Sequence, residues 1–110
     1  MPKYFIIKPN EYGKIKHMST LNEIVNNSAT SIVDVRTVME FQSGHVPGAI
    51  NIPLDEVQNR LEEFKKLPKP IVVYCRSGAR SGMAMSILKQ SGINEVYNGG
   101  GLADMQFMLN

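Results

Sequence analysis

The run IVVYC at residues 71–75 is apolar throughout and passes directly into CRSGARSG, a loop with two glycines, and then into a helix-like segment. A continuous apolar strand needs cover on both faces, which is the situation of a strand inside a parallel sheet. Parallel strands need crossover helices between them, and open sheets of this kind hold ligands at the carboxyl ends of their strands. This one feature directs the chain toward an α/β fold and places Cys75 at a ligand-binding edge.

The remaining pattern agrees. TLNEIV from Thr20 carries a T-x-x-E capping box with Leu21, Ile24 and Val25 on one helical face. SIVDVR is a second buried strand, and Thr37 to Ser43 a short helix stopped at Gly44. After the GHVPG loop, AINIP is a brief strand, and Asp55 with Gln58 offers another capping pair before the stripe Val57, Leu61 and Phe64. Pro68 and Pro70 close that helix. The helix after the cysteine loop carries Met83, Ala84, Ile87 and Leu88 and stops at Gly92. INEVYN is a last strand, NGGG a flexible turn, and LADMQFML a final amphipathic helix with Leu102, Met105 and Leu109 on one side. The expectation is α/β: a single domain with a central, mostly parallel sheet and helices on both faces. Residues 1–19 are weakly patterned, and residues 20–110 form the domain.

A chain of 110 residues with 43% hydrophobic and 20% charged residues suits one soluble domain with a sizeable core. The net charge of +2 comes without a basic run longer than Lys65-Lys66, so no nucleic-acid partner is implied. No stretch approaches the roughly 18 apolar residues of a membrane span, and the first residues lack the long apolar region of a signal peptide. Cys75 is the only cysteine, which fits a reducing compartment; the cytoplasm is the expected location.

The backbone N–H groups of the CRSGARSG loop can converge on one point, and the positive end of the following helix adds to them, making a cradle for an anion. That setting, with Arg76 and Arg80 nearby, favours thiolate at Cys75 over thiol. Arginine offers a planar fork of donors suited to a tetrahedral oxyanion. The competing account is a small buried residue at a strand end, with arginines that are ordinary surface charges.

CRSGARS after IVVY, DVRTVMEFQSGHVPGAINIPL upstream and YNGGG downstream resemble the rhodanese family over about Thr20 to Leu109. The resemblance implies a sulfurtransferase: Cys75 takes the outer sulfur of a small anionic donor such as thiosulfate, holds it as a persulfide and passes it to cyanide or a thiol acceptor. It implies that the amides of Arg76, Ser77, Gly78, Ala79, Arg80 and Ser81 form the substrate cradle, and that neither a metal nor an organic cofactor is required. Asp34, Arg36, Glu40 and His45 match the upstream motif; their expected role is to tie the strand end, the next helix and the GHVPG loop together. Where many members of that family carry a tryptophan-bearing helix after the glycines, this chain reads GGGLADMQFMLN. The methionines there, like Met83 and Met85, are expected to fill the core or the rim.

Three alternatives stay open. A persulfide carrier or regulatory module would receive its sulfur from a protein donor. A cysteine phosphatase or arsenate reductase would also use a cysteine loop, but phosphatase loops place one more residue between cysteine and arginine than the four separating Cys75 from Arg80. A Cys-His hydrolase built on Cys75 and His45 lacks a third member, since His17 lies in the weakly patterned segment.

Overall fold

The computed structural model describes residues 4–6 and 18–110; the rest of the N-terminal segment, including His17, lies outside the described residues. Strands β1 (Tyr4–Ile6) and β2 (Met18–Thr20) pair antiparallel as a small ribbon. The main sheet contains β3 (Ser31–Asp34), β4 (Ile50–Asn51), β5 (Ile71–Cys75) and β6 (Val96–Gly101), in the order β4-β3-β5-β6 and parallel throughout.

Among the described residues six α-helices accompany it: α1 (Leu21–Asn26), α2 (Val38–Gln42), α3 (Leu54–Val57), α4 (Leu61–Lys66), α5 (Ala79–Gln90) and α6 (Leu102–Met108). Successive side chains of a strand point to opposite faces, and β5 shows the result. Ile71, Val73 and Cys75 pack with Val57, Phe64 and Leu88 of α3, α4 and α5, whereas Val72 and Tyr74 pack with Ile24, Val25 and Met105 of α1 and α6. All five β5 residues are fully buried, as the continuous apolar run requires. Among the described residues no helix is long and apolar enough to cross a membrane.

The capping box expected at Thr20–Glu23 forms, and a second one, Thr37–Glu40, not singled out from the sequence, opens α2. The capping pair Asp55 and Gln58 does not form. Pro53 occupies the N-cap of α3 without a side-chain hydrogen bond, and Asp55 and Glu56 lie in the first turn, where acidic groups favour the positive helix end. The expected single helix is broken by a 3-10 turn at Gln58–Arg60, across which Arg60 pairs with Glu56 at 2.9 Å and Glu63 at 2.6 Å. Met83 also departs from expectation: α5 buries Ser81, Ala84 and Leu88, and Met83 is turned outward, 60% exposed.

The largest correction concerns NGGG, which is the end of β6 rather than a turn. Val73 pairs with Asn98 but Tyr74 pairs with Gly100, so Gly99 is the extra residue of a bulge and Gly101 comes opposite Cys75. A Cβ on Gly99 would run into the Met105 sulfur and a Val72 methyl, and one on Gly101 would overlap the Arg76 carbonyl oxygen. The loop after Cys75 therefore lies backbone to backbone on the glycines of β6. Gly101→Ala should destabilise the domain by about 1–3 kcal/mol through this overlap, measured by urea unfolding. An unchanged midpoint would show that the loop yields freely.

Candidate active site

At the end of β5 the chain turns through Arg76, Ser77 and Gly78 into α5. Gly78 takes a left-handed conformation at φ 100°, which favours a residue without a Cβ. The Gly78 N–H donates to Cys75 Sγ at 3.0 Å, and the Ser81 hydroxyl lies 3.4 Å from the same sulfur. Burial pushes the Cys75 thiol up. The Ser81 hydroxyl and the amides of Ser81, Ser77 and Gly78 outweigh it and hold the thiol down at about 7. Cys75 is thus a fully buried cysteine at a strand end that nonetheless stands in an anion-stabilising environment.

The arginines part company. Arg80 donates to both carboxylate oxygens of Glu40, at 2.7 and 3.0 Å, so its fork is already occupied. Glu40 also receives the Thr37 N–H at 3.1 Å, and these contacts, Arg80 first, hold its carboxyl down at about 2. The Arg80–Glu40 pair braces α5 against α2, and Cys75 contributes to keeping the Arg80 guanidinium charged. Arg76 is exposed and makes no ion pair among the described residues. With Arg36, Glu40, Ser43, Leu102 and Gln106 it lines a cleft of about 450 Å³.

Asp34 and Arg36 are buried against each other, with the shortest contact 2.6 Å, and Arg36 also donates to the Gly44 carbonyl at 2.7 Å. Asn51 donates to the carbonyls of Asp34 and Arg36, and the Val46 N–H donates to the buried Tyr74 hydroxyl at 3.0 Å. His45 stacks on Phe41 with centroids 3.6 Å apart and is hydrogen-bonded through Nδ1 to the Phe41 carbonyl at 2.7 Å. These contacts join the end of β3, α2 and the GHVPG loop. None of them brings His45 to the sulfur as a base. Among the described residues no group of three or more His, Cys, Asp and Glu is placed to share a metal ion.

The family model for the rhodanese-like domain matches residues 17–105. The chain belongs to the rhodanese-like family. It is 45% identical over 74 residues to the thiosulfate sulfurtransferase PspE of Escherichia coli, covering 66% of this chain and 71% of that protein. It is 42% identical over 67 residues to YqhL of Bacillus subtilis, covering 61% of this chain and only 52% of that protein, so the chain spans about half of this relative's length. A solved rhodanese with anions from Escherichia coli superposes with a TM-score of 0.63 at 43% identity, covering 69% of this chain and 91% of the other.

One residue of this rhodanese-like domain carries a role not assigned above from its sequence. Asn98 donates to the Gly78 carbonyl at 3.0 Å, accepts the Gly100 N–H at 2.9 Å and lies 2.7 Å from the Ser81 hydroxyl. It therefore bonds the Ser81 hydroxyl and the backbone of Gly78, two of the residues that contact the sulfur. Its one sequence signal is a polar residue opening a run of glycines at the end of a buried strand.

Ser81→Ala should raise the pH midpoint of Cys75 alkylation by about one unit, toward the free-thiol value near 8.5. The sign follows from the hydroxyl donating to the thiolate, which it stabilises, and not to an already neutral group. Alkylation rate against pH reads the shift directly, and a midpoint that stays near 7 would assign the whole effect to the amides.

Proposed function

We propose that this domain is a sulfurtransferase that takes a sulfane sulfur from a small anionic donor, with thiosulfate as the first candidate, and carries it on Cys75 as a persulfide. The observation that carries the proposal is a lone cysteine sulfur at the end of the central strand, receiving a hydroxyl and convergent amides at the start of α5. With its thiol held at about 7, Cys75 is substantially thiolate near neutral pH. The sulfurtransferase name of PspE supports the same chemistry.

The thiolate attacks the outer sulfur of thiosulfate. The new bond joins it to Cys75, and the sulfur–sulfur bond of the donor breaks with its electron pair leaving on sulfite. The terminal sulfur of the persulfide then carries the negative charge, and the loop amides of Arg76, Ser77, Gly78, Ala79, Arg80 and Ser81 form its cradle. A thiophilic acceptor such as cyanide attacks that sulfur, and the bonding pair returns to Cys75 as thiolate. Charge and electrons balance in both steps without a redox partner. Arg76, unpaired among the described residues, draws the donor into the cleft; Arg80, held by Glu40, keeps α5 in place.

Thiosulfate should add one sulfur atom to the protein by intact mass, cyanide should remove it as thiocyanate, and Cys75→Ser should abolish both. Arg76→Ala should raise KM for thiosulfate about tenfold while changing kcat little, as loss of a charge-assisted contact to the ground-state anion predicts. Sulfur loading that survives Cys75→Ser would overturn the persulfide assignment. Loading from a protein persulfide but not from thiosulfate would make the domain a carrier, and turnover of aryl phosphates through Cys75 would return the phosphatase alternative.

A further inference from the structure

The hydrogen bonds around Ser81 pose a counting problem. Asn98 Oδ1 accepts the Gly100 N–H at 2.9 Å, and its Nδ2 donates to the Gly78 carbonyl at 3.0 Å. A flipped amide would set donor against donor and acceptor against acceptor, so the side-chain orientation is fixed by two backbone groups. An acceptor oxygen therefore faces Ser81 Oγ at 2.7 Å, while Cys75 Sγ lies 3.4 Å away on its other side. The hydroxyl has one proton and two acceptors.

With Cys75 as a thiol, all three groups are satisfied in a chain: S–H to Oγ, and O–H to Asn98 Oδ1. A thiolate has no proton to give and draws the hydroxyl toward itself, which leaves the lone pairs of Oγ and Oδ1 facing each other at 2.7 Å. When sulfur is loaded, charge moves out to the terminal sulfur, and the inner sulfur no longer competes for the proton.

We propose that Asn98 is a positioning residue that competes with Cys75 for the single proton of Ser81, so that the hydroxyl turns to the sulfur while it is a thiolate and returns to Asn98 when the persulfide forms. The return of the hydroxyl to Asn98 on persulfide formation rests on the proposed sulfur transfer. The competition limits how far the hydroxyl stabilises the thiolate and so preserves its nucleophilicity, which falls as thiol pKa falls. In the return step the same hydroxyl is available to stabilise Cys75 as the leaving thiolate.

The charged groups around the sulfur and its loop are Arg76, the Arg80–Glu40 pair, the Asp34–Arg36 pair and, beside Ser77 and Gly78, Asp104. None is altered in the test, which compares Cys75 alkylation midpoints in a double-mutant cycle. Asn98→Ala removes the competing acceptor and also the contact to Gly78. Only the first effect passes through the Ser81 hydroxyl, so comparing Asn98→Ala in the native and Ser81→Ala backgrounds isolates it. The substitution should shift the midpoint downward in the native background relative to the Ser81→Ala background by about half a pH unit. Asn98→Asp supplies a stronger, charged acceptor and should give a difference of opposite sign.

Circular dichroism checks that each variant is folded; if Asn98→Ala is not, the Asn98→Asp cycle decides alone. Equal shifts in both backgrounds, or differences of the wrong sign, would overturn the competition, and a merely structural Asn98 gives equal shifts. Alkylation needs no sulfur transfer. A coupling found in a protein that thiosulfate and protein persulfides fail to load would sustain the competition and overturn the transfer proposal, whereas loading without coupling would overturn the competition alone.

Discussion

The Cys75 loop rests on the last residues of β6, with Gly101 directly opposite Cys75 and the Arg76 carbonyl in the space a side chain would fill. Close approach of two backbones is the contact that the rest of the site depends on. It lets Gly78 reach its left-handed conformation beside Gly100, where its own amide and those of Ser77 and Ser81 meet the sulfur. It also sets Asn98 within reach of Gly78 and Ser81, so the loop is fastened to its platform by side-chain hydrogen bonds as well as by packing.

Electrostatics in the site depend on which charges are already matched. Asp34 with Arg36 and Glu40 with Arg80 are paired at 2.6 and 2.7 Å, and both pairs hold elements in place. Breaking a buried pair leaves an uncompensated charge, so Asp34 and Arg36 serve best as fixed struts between β3 and the GHVPG loop. The sulfur is served by dipoles instead, a hydroxyl and several amides, which lower the thiol without bringing a mobile cation into contact with it. Beside the cysteine loop, Arg76 is exposed on the wall of a cleft and makes no ion pair among the described residues.

Burial of the sulfur and its reactivity are compatible for the same reason. A cysteine with no exposed surface would ordinarily have its thiol raised by desolvation. Here hydrogen bonds supplied by the fold replace those of water, and they remain in position when the charge develops because the loop is held from β6.

Sequence alone was sufficient for the alternation of strands and helices, the capping box at Thr20–Glu23, the burial of IVVYC on both faces and the placement of Cys75 at the carboxyl end of a sheet strand. These are local properties: period, propensity and the chemistry of a turn are written in adjacent residues. Most of the failures arise in long-range contact, and the start of α3 is a local exception. Asp55 and Gln58 look like a cap until Pro53 starts α3 earlier, and NGGG looks like a turn until β5 supplies the partner that makes it a bulged strand. Arg80 looks free until α2 brings Glu40 to it across forty positions of chain. Asn98 is an ordinary polar residue in sequence, and only the packing of β6 beneath the cysteine loop makes it neighbour to Gly78 and Ser81. The residue types that can do the chemistry are thus set by the sequence, while tertiary structure decides which of their charges and protons are already engaged, because pairing depends on distances between elements that no local pattern encodes.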